Sequence, residues 1–420
     1  MKILTINCYY EKYSTGKIIK DIESELISKG CQFVHCYECG EKSTEKNAYR
    51  LSGYWEYRVY YVLSHLSGAQ YAGGILSNVR LKRILKKENP DIVHIHCPNA
   101  FSLNLYKLLD YLKKNKISTV ITNHAEFFFT GNCAHADACN GYISGCKVCP
   151  DYKSATHSII FNRTKSSWKK MKKSFENFEK IYMVAVSPWA QKRIEHSTIC
   201  YGLPCCTIYN GIDTSVFCAQ KTDTIYAKYN INRDEPLFLH ATSSFSDQEN
   251  DLKGGIYILK LARKLQDMGI RCRFLIVGPL FLEREYDDLK NVIFAEKIND
   301  QKMLAQIYSS ADLTIMTSRR ETFGLTCVES MCCGTPVVGF ENGGSESIAL
   351  PEYSCFVTYG DLDELMVKVL EWSKKKRGMF GKLCEEAAKV YGKEAMADNY
   401  YQIYQRLFFD QKQKDIAVDL

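Results

Sequence analysis

No run of the chain approaches the ~20 apolar residues that a membrane-spanning helix needs. The longest uncharged stretches are broken by polar residues and glycine. The first residues, MKILTINCYY, lack the apolar core of a secretory signal and read directly as a strand. There is no internal repeat and no low-complexity block. Integral membrane insertion and export by signal peptide are therefore not expected. Hydrophobic residues make up 46% and charged residues 25%, which excludes a disordered or collagen-like chain. The 420 residues leave room for two or three domains.

Cysteine, by contrast, is abundant. The 19 residues are odd in number and scattered through strand-like and helix-like segments, as at Cys8, Cys97 and Cys327. Disulfide scaffolds are small and secreted, so the expectation is a reduced cytoplasmic protein whose cysteines mostly act as small apolar groups. Charge is unevenly placed. Residues 1–210 hold 29 Lys and Arg against 17 Asp and Glu, a surplus of +12, so the remainder carries −5 of the net +7. Such a basic half fits nucleic acid, anionic lipid or an acidic substrate. No helix-turn-helix, finger or RNP-like pattern supports nucleic acid.

Strand and helix signals alternate, which predicts α/β layers with parallel sheets. KILTINC (2–8) reads as a strand, and 16–29 as a helix with Ile18, Ile19, Ile22 and Leu26 on one face. DIVHIH (91–96), TVITNH (119–124), MVAVS (183–187) and TIYN (207–210) continue the series. A second series runs LFLHAT from 237, a helix over 254–268, RFLIVG, NVIFAE, LTIMTS and PVVGF (336–340). Two successive series predict two doubly wound Rossmann-like domains. The expected division is 1–214, 215–394 and a Tyr-rich C-terminal helix, 395–420, returning to the first domain.

Residues 125–180 read as an insertion. Within RTKSSWKKMKKSFENFEK (163–180), Trp168, Met171, Phe175 and Phe178 fall at i, i+3, i+7 and i+10, flanked by Lys169, Lys170, Lys172 and Lys173. Two readings are open: a membrane-surface helix, or a helix packed on its own domain with a solvated lysine face. GYWEYRVYYVL (53–63) likewise reads as an acceptor pocket, an interface or core.

The chemistry concentrates in SRRETFGLTCVESMCCGTPVVGFENGGSES (318–347). From Thr322 to Phe340 the only charged residue is Glu329. A lone carboxylate entering a core is costly without a partner, so Glu329 is expected to face a polar pocket. The turn Phe323–Gly324–Leu325–Thr326 aims backbone N–H groups from a helix N-terminus, where a phosphate is favoured. Were the stretch helical throughout, Glu321 and Glu329 would lie about 12 Å apart. One carboxylate could then take sugar hydroxyls and the other ribose hydroxyls, with a diphosphate between them.

At these residues the sequence resembles the retaining glycosyltransferases of family 4, which have the GT-B fold: two Rossmann-like domains facing across a cleft. Their Glu, seven residues, Glu signature stands here as Glu321-TFGLTCV-Glu329. The resemblance extends to Ser14-Thr15-Gly16, DIVHIH, the segment ending at His124, YNGID (209–213), Lys253-Gly254 and GGSES (343–347). FFFTGNC and the following cysteines resemble a polysaccharide-assembly subgroup. The resemblance implies that Glu321 contacts the transferred sugar and that Phe323, Gly324, Leu325 and Thr326 contact sugar and diphosphate. It also implies that Glu329 holds the ribose, Lys253 neutralises the leaving diphosphate, Gly16 lets a loop approach the donor, and His124 lies near the reacting sugar. A donor such as a UDP- or GDP-sugar and a saccharide acceptor, lipid-linked at the inner membrane face, follow from the same resemblance, and the +12 surplus of residues 1–210 adds an anionic membrane surface as an expected partner. No catalytic metal and no cofactor are implied.

The chain also departs from the family. HATSSFSDQENDLKGG (240–255) has no Arg before the Lys-Gly pair, which leaves phosphate neutralisation to Lys253, to dipoles, or to Arg319 or Arg320. Where relatives have Asp after the histidine this chain has Ala125, with Glu126 next. The Asp361-Leu362-Asp363 string reads as a helix cap, not as a metal site. Cys133, Cys139, Cys146 and Cys149 could bind structural zinc, or could form a small reduced cluster packed by apolar thiols. A nucleotide-sugar epimerase of the same fold and a non-catalytic nucleotide- or glycan-binding protein are the alternative functions.

Overall fold

In a computed structural model of the chain, the described residues are 1–136, 139–375 and 381–418, with side chains to Phe409. They form two compact units, Met1–Tyr209 with Met396–Leu420, and Asn210–Ala395.

The first unit is built on seven parallel strands: β1 (Lys2–Asn7), β2 (Gln32–Tyr37), β3 (Ala48–Arg50), β4 (Ile92–Ile95), β5 (Ser118–Asn123), β6 (Ile181–Ala185) and β7 (Cys205–Thr207). Their order is β3-β2-β1-β4-β5-β6-β7. Helices cover both faces, so β4 and β5 are wholly buried and read as near-continuous apolar and β-branched runs. The first helix, Tyr13–Ile27, buries Ile18, Ile19, Ile22 and Leu26 as its periodicity predicts. The last strand of this sheet, expected at 207–210, lies at Cys205–Thr207.

Residues 125–180 belong to the alternation and to the core. Phe127, Phe128 and Phe129 are buried under the sheet. The helix Thr164–Phe175 lies on the crossover from β5 to β6, with Met171, Phe175 and Phe178 in the same core and Trp168 packed against it. That apolar stripe is therefore not a membrane-inserting face. Packing on its own domain has consumed it, and the lysines beside it face solvent.

The C-terminal helix, Lys393–Val418, is tied into the first unit by buried hydrogen bonds. His94 on β4 meets the Tyr404 hydroxyl at 2.6 Å and Thr122 Oγ1 at 2.8 Å, and Thr122 Oγ1 meets the Tyr400 hydroxyl at 2.8 Å.

The second unit carries six parallel strands in the order β12-β10-β8-β13-β14-β15. These are β8 (Leu237–Ala241), β10 (Arg273–Val277), β12 (Val292–Ala295), β13 (Leu313–Met316), β14 (Val337–Phe340) and β15 (Ser354–Val357). A short side pair, β9 (Phe245–Ser246) and β11 (Leu280–Phe281), stands apart. Relabelled from β8, the main order is 3-2-1-4-5-6, and the strand order reverses between β8 and β13. In such sheets ligands sit beyond the carboxyl ends of the strands at that switch point.

Candidate active site

The switch point of the second unit is where Lys253, Glu321 and the turn at Gly324 meet. After β8 the chain reaches Lys253 and Gly254, which opens the helix Gly255–Asp267. After β13 it reaches Glu321 and Gly324, which opens the helix Leu325–Cys332. Lys253 Nζ lies 2.7 Å from Glu321 Oε1, and both side chains keep partial exposure. The two loops are also joined through their backbones: Arg319 N–H donates to the Leu252 carbonyl at 2.8 Å, and Thr317 Oγ1 to the Lys253 carbonyl at 3.3 Å.

Two glycines make this convergence sterically feasible. Gly254 has φ +66°, and a Cβ there would sit 2.1 Å from the Thr317 carbonyl oxygen. Gly324 has φ +92°, and a Cβ there would sit 2.3 Å from Ser345 Oγ. Gly324 supplies no side-chain cap to its helix, whose first turn holds no acidic residue. The helix start thus presents backbone N–H groups and positive dipole to an anion.

Glu321 itself is not helical. Its N–H donates to the Asn342 carbonyl at 3.1 Å, and its carbonyl accepts from Gly344 N–H at 2.9 Å. The fully helical spacing considered for the two glutamates therefore does not apply, because the helix begins at Leu325. The opposing GGSES turn is braced by Glu346, whose carboxylate accepts from Gly343 N–H at 2.6 Å and Asn342 N–H at 2.9 Å.

Glu329 does have the polar partner its isolation demands. Tyr308, buried on the helix Gln301–Ser310, donates its hydroxyl to Glu329 Oε2 at 2.8 Å. Burial and the adjacent carboxylate push the Tyr308 hydroxyl well above its ordinary pKa, so it remains a donor. Sequence reading missed Tyr308. It lies 21 residues before Glu329, and nothing local distinguishes it from a core tyrosine.

Gly16 and His124 belong to the first unit. Gly16 is buried in the first turn of the helix Tyr13–Ile27, and a Cβ there would lie 2.9 Å from the backbone of Glu11. A side chain at this position would thus crowd the loop that precedes the helix. His124 follows β5, and its Nε2 stands 3.2 Å from His96 Nδ1. Burial lowers the His124 pKa to about 4 and that of His96 well below its ordinary value, so both rings are neutral at physiological pH.

Glu126 does not stand in for the missing Asp. It is buried, and its carboxylate accepts from Arg193 Nε and from Ala136 N–H, which braces the cysteine loop. Arg193 is in turn stacked on Tyr142 and Trp189. Arg320 directs one guanidinium nitrogen to the Asn342 carbonyl, 3.4 Å away.

All 19 cysteines are free thiols. A Cβ at Gly141 would lie 3.3 Å from Cys139 Sγ and 3.5 Å from Cys146 Sγ, so these two thiols flank one turn. Among the described residues, however, no group of three or more His, Cys, Asp or Glu is arranged to hold a metal ion. Asp361 caps the helix Leu362–Ser373 by accepting from Glu364 N–H at 2.9 Å.

Two parallel doubly wound sheets, with a basic group, a carboxylate and an uncapped helix start at one switch point, define a GT-B glycosyltransferase. Residues 16–216 match the family described as Glycosyltransferase Family 4, and residues 221–391 match Glycosyl transferases group 1. The chain belongs to glycosyltransferase family 4. Among curated relatives, the putative colanic acid biosynthesis glycosyl transferase WcaC of Escherichia coli K12 is 21% identical over 343 residues, 79% of this chain and 80% of that protein. The N-acetyl-alpha-D-glucosaminyl L-malate synthase of Bacillus anthracis is 26% identical over 215 residues. That match spans 49% of this chain and about half, 55%, of the relative. Among solved structures, sucrose-phosphate synthase from Thermosynechococcus elongatus aligns with a TM-score of 0.66 at 17% identity, covering 97% of this chain and 99% of that one. Anabaena HepE in complex with UDP aligns with a TM-score of 0.63 at 16% identity, covering 97% and 100%.

Proposed function

We propose that this glycosyltransferase moves a sugar, with retention of configuration, from a nucleoside-diphosphate sugar to a lipid-linked saccharide in cell-surface polysaccharide assembly. The observation that carries this reading is the Lys253–Glu321 pair set beside the uncapped helix start at Leu325. A dianionic diphosphate arriving there would meet N–H groups of Leu325 and Thr326 and the Lys253 ammonium, a point charge suited to phosphate. Displaced from Lys253, Glu321 would accept from hydroxyls of the transferred sugar. Glu329, oriented by Tyr308, would take the ribose hydroxyls, and Phe323 and Gly324 would shape the turn against sugar and diphosphate. Within the first unit, His124 and the loop at Gly16 are assigned to the reacting sugar and the donor.

Stabilisation of the leaving diphosphate by Lys253 and the helix start would make a catalytic metal unnecessary, and the Asp361 string is occupied as a cap. The relative named for colanic acid biosynthesis supports the polysaccharide setting, and a HepE structure carrying UDP supports a nucleotide donor. The setting we propose is cytoplasmic, peripheral at the inner membrane face.

A screen of UDP-, GDP- and ADP-sugars by nucleotide release, with and without lipid-linked saccharides, tests the reading. Acceptor-dependent release that survives chelator, with the donor's anomeric configuration kept in the product, supports it. Release independent of any acceptor, or an inverted product, overturns it.

A further inference from the structure

The helix Tyr54–Ser67 is amphipathic in the inverted sense. Only Ser64 is buried along its length. Its inward side mixes polar contacts with tyrosine packing: Glu56 pairs with Arg80 at 2.6 Å and accepts from Ser77 Oγ at 3.1 Å, the Tyr60 hydroxyl accepts from Ile75 N–H at 3.2 Å, and Tyr57 packs against Cys8, Cys39 and Ala100. Trp55, Val59, Val62, Leu63 and Leu66 recur at i, i+4, i+7, i+8 and i+11 on the opposite side, 78%, 55%, 52%, 53% and 37% exposed. A helix that only completed a fold would bury that stripe.

Two neighbouring segments extend it. The helix Ile75–Glu88, held to the first by the Glu56 contacts, exposes Ile75, Leu76 and Val79 in its opening turns. Ile159, Ile160 and Phe161 are all more than half exposed. They abut the far end of the first helix, where Ile159 N–H donates to the His65 carbonyl at 2.8 Å. Two successive helices and a segment distant in sequence thus expose apolar side chains beside one another on the first unit. A contiguous apolar face of this kind marks an interaction surface.

Its charge selects the occupant. Arg58 flanks the apolar stripe, and Arg83, Lys86 and Lys87 continue along the second helix, all exposed. Arg163 follows Phe161. Across residues 1–210 cations exceed anions by 12. An apolar face containing an exposed tryptophan and rimmed by Arg and Lys is the chemistry of an interfacial helix on anionic lipid.

We propose that the face formed by Tyr54–Ser67, the start of Ile75–Glu88 and residues 159–161 docks on an anionic lipid bilayer. Of the two readings open for Trp168–Phe178, packing on its own domain holds, since its apolar side chains are spent in the core. The proposal does not depend on the transfer reaction, and its test is independent of turnover.

The full chain is mixed with phosphatidylcholine vesicles, with and without phosphatidylglycerol, and floated on a density gradient. The wild type is expected to float with the anionic vesicles, and to float much less in high salt. Val62→Asp/Leu63→Asp and, separately, Arg83→Glu/Lys86→Glu are each expected to weaken binding by about tenfold or more. Circular dichroism checks that both variants are folded. Tryptophan emission is expected to shift blue on binding, and Trp55→Phe to remove the shift. Absence of wild-type binding at lipid excess, or unchanged binding by both folded variants, overturns the proposal. So does a wild-type dimer in light scattering that Val62→Asp/Leu63→Asp dissolves, since a second copy would then cover the face.

Discussion

The ammonium of Lys253 rests 2.7 Å from the carboxylate of Glu321, although 68 residues separate them. Each group is thereby held at the mouth of the site by the other. An incoming diphosphate and sugar hydroxyls would exchange one partner for another. Because both are partly exposed, the pair contributes little to folding, at most about 1 kcal/mol. Lys253→Ala and Glu321→Ala are accordingly expected to lower turnover by ~10²–10³. Their thermal unfolding should match that of the wild type. A large loss of Tm would show that the pair is structural.

The Tyr308–Glu329 hydrogen bond predicts coupled effects on donor binding. Glu329→Ala should raise KM for the nucleotide sugar sharply. Tyr308→Phe should raise it less, by roughly 5- to 30-fold, through loss of a charge-assisted bond of about 1–2 kcal/mol. In the double variant, Tyr308→Phe should add almost nothing to Glu329→Ala. Additive losses would show that Tyr308 acts independently of the carboxylate.

At Gly324 the demand is steric. A methyl group there meets Ser345 Oγ at 2.3 Å, in a backbone conformation that L-residues rarely adopt. Gly324→Ala should lower stability by ~1–3 kcal/mol and abolish donor binding. Gly324→Ala/Ser345→Ala should recover part of the stability by clearing the contact. Recovery is read by denaturant unfolding, and its absence would place the strain in φ alone.

Glu126 and Arg193 form a buried ion pair in the first unit. Arg193→Met removes the cation and leaves a buried carboxylate, which should cost about 3–5 kcal/mol. Arg193→Met/Glu126→Gln should be milder, because no uncompensated charge remains. Equal destabilisation of the two variants, measured by urea unfolding, would contradict this account.

His124 and His240 are each held neutral by burial, with pKa values of about 4. The unfolded chain binds their protons near the ordinary value of about 6.5. Their contribution to stability is therefore fully present above that value and is lost as pH falls towards 4. His240→Asn is expected to flatten the decline in stability between these limits, read as denaturant midpoint against pH.

Much of the architecture could be read locally. Ile18, Ile19, Ile22 and Leu26 announce their helix by periodicity, and the β-branched runs at 92–95 and 313–316 announce buried parallel strands. The strand Gln32–Tyr37 was less visible because its run contains His35 and Cys36, buried by neighbours that local pattern does not show. The Trp168–Phe178 stripe shows the limit most clearly. A helix apolar on one face has the same sequence whether that face meets a core or a bilayer, and only the surrounding elements distinguish the two. The stripe at Trp55–Leu66 had the same ambiguity, and its side chains are left exposed.

By itself the sequence determined the two α/β series, the spacing of Glu321 and Glu329, the glycines at their turns and the excess of cations before residue 210, since each is a property of neighbouring residues. Tertiary structure alone decided that Lys253 meets Glu321, that Tyr308 reaches Glu329, that Arg193 claims Glu126, and which apolar helix is left facing outward. Those outcomes depend on which distant segments the strand order brings together, and no local propensity encodes that order.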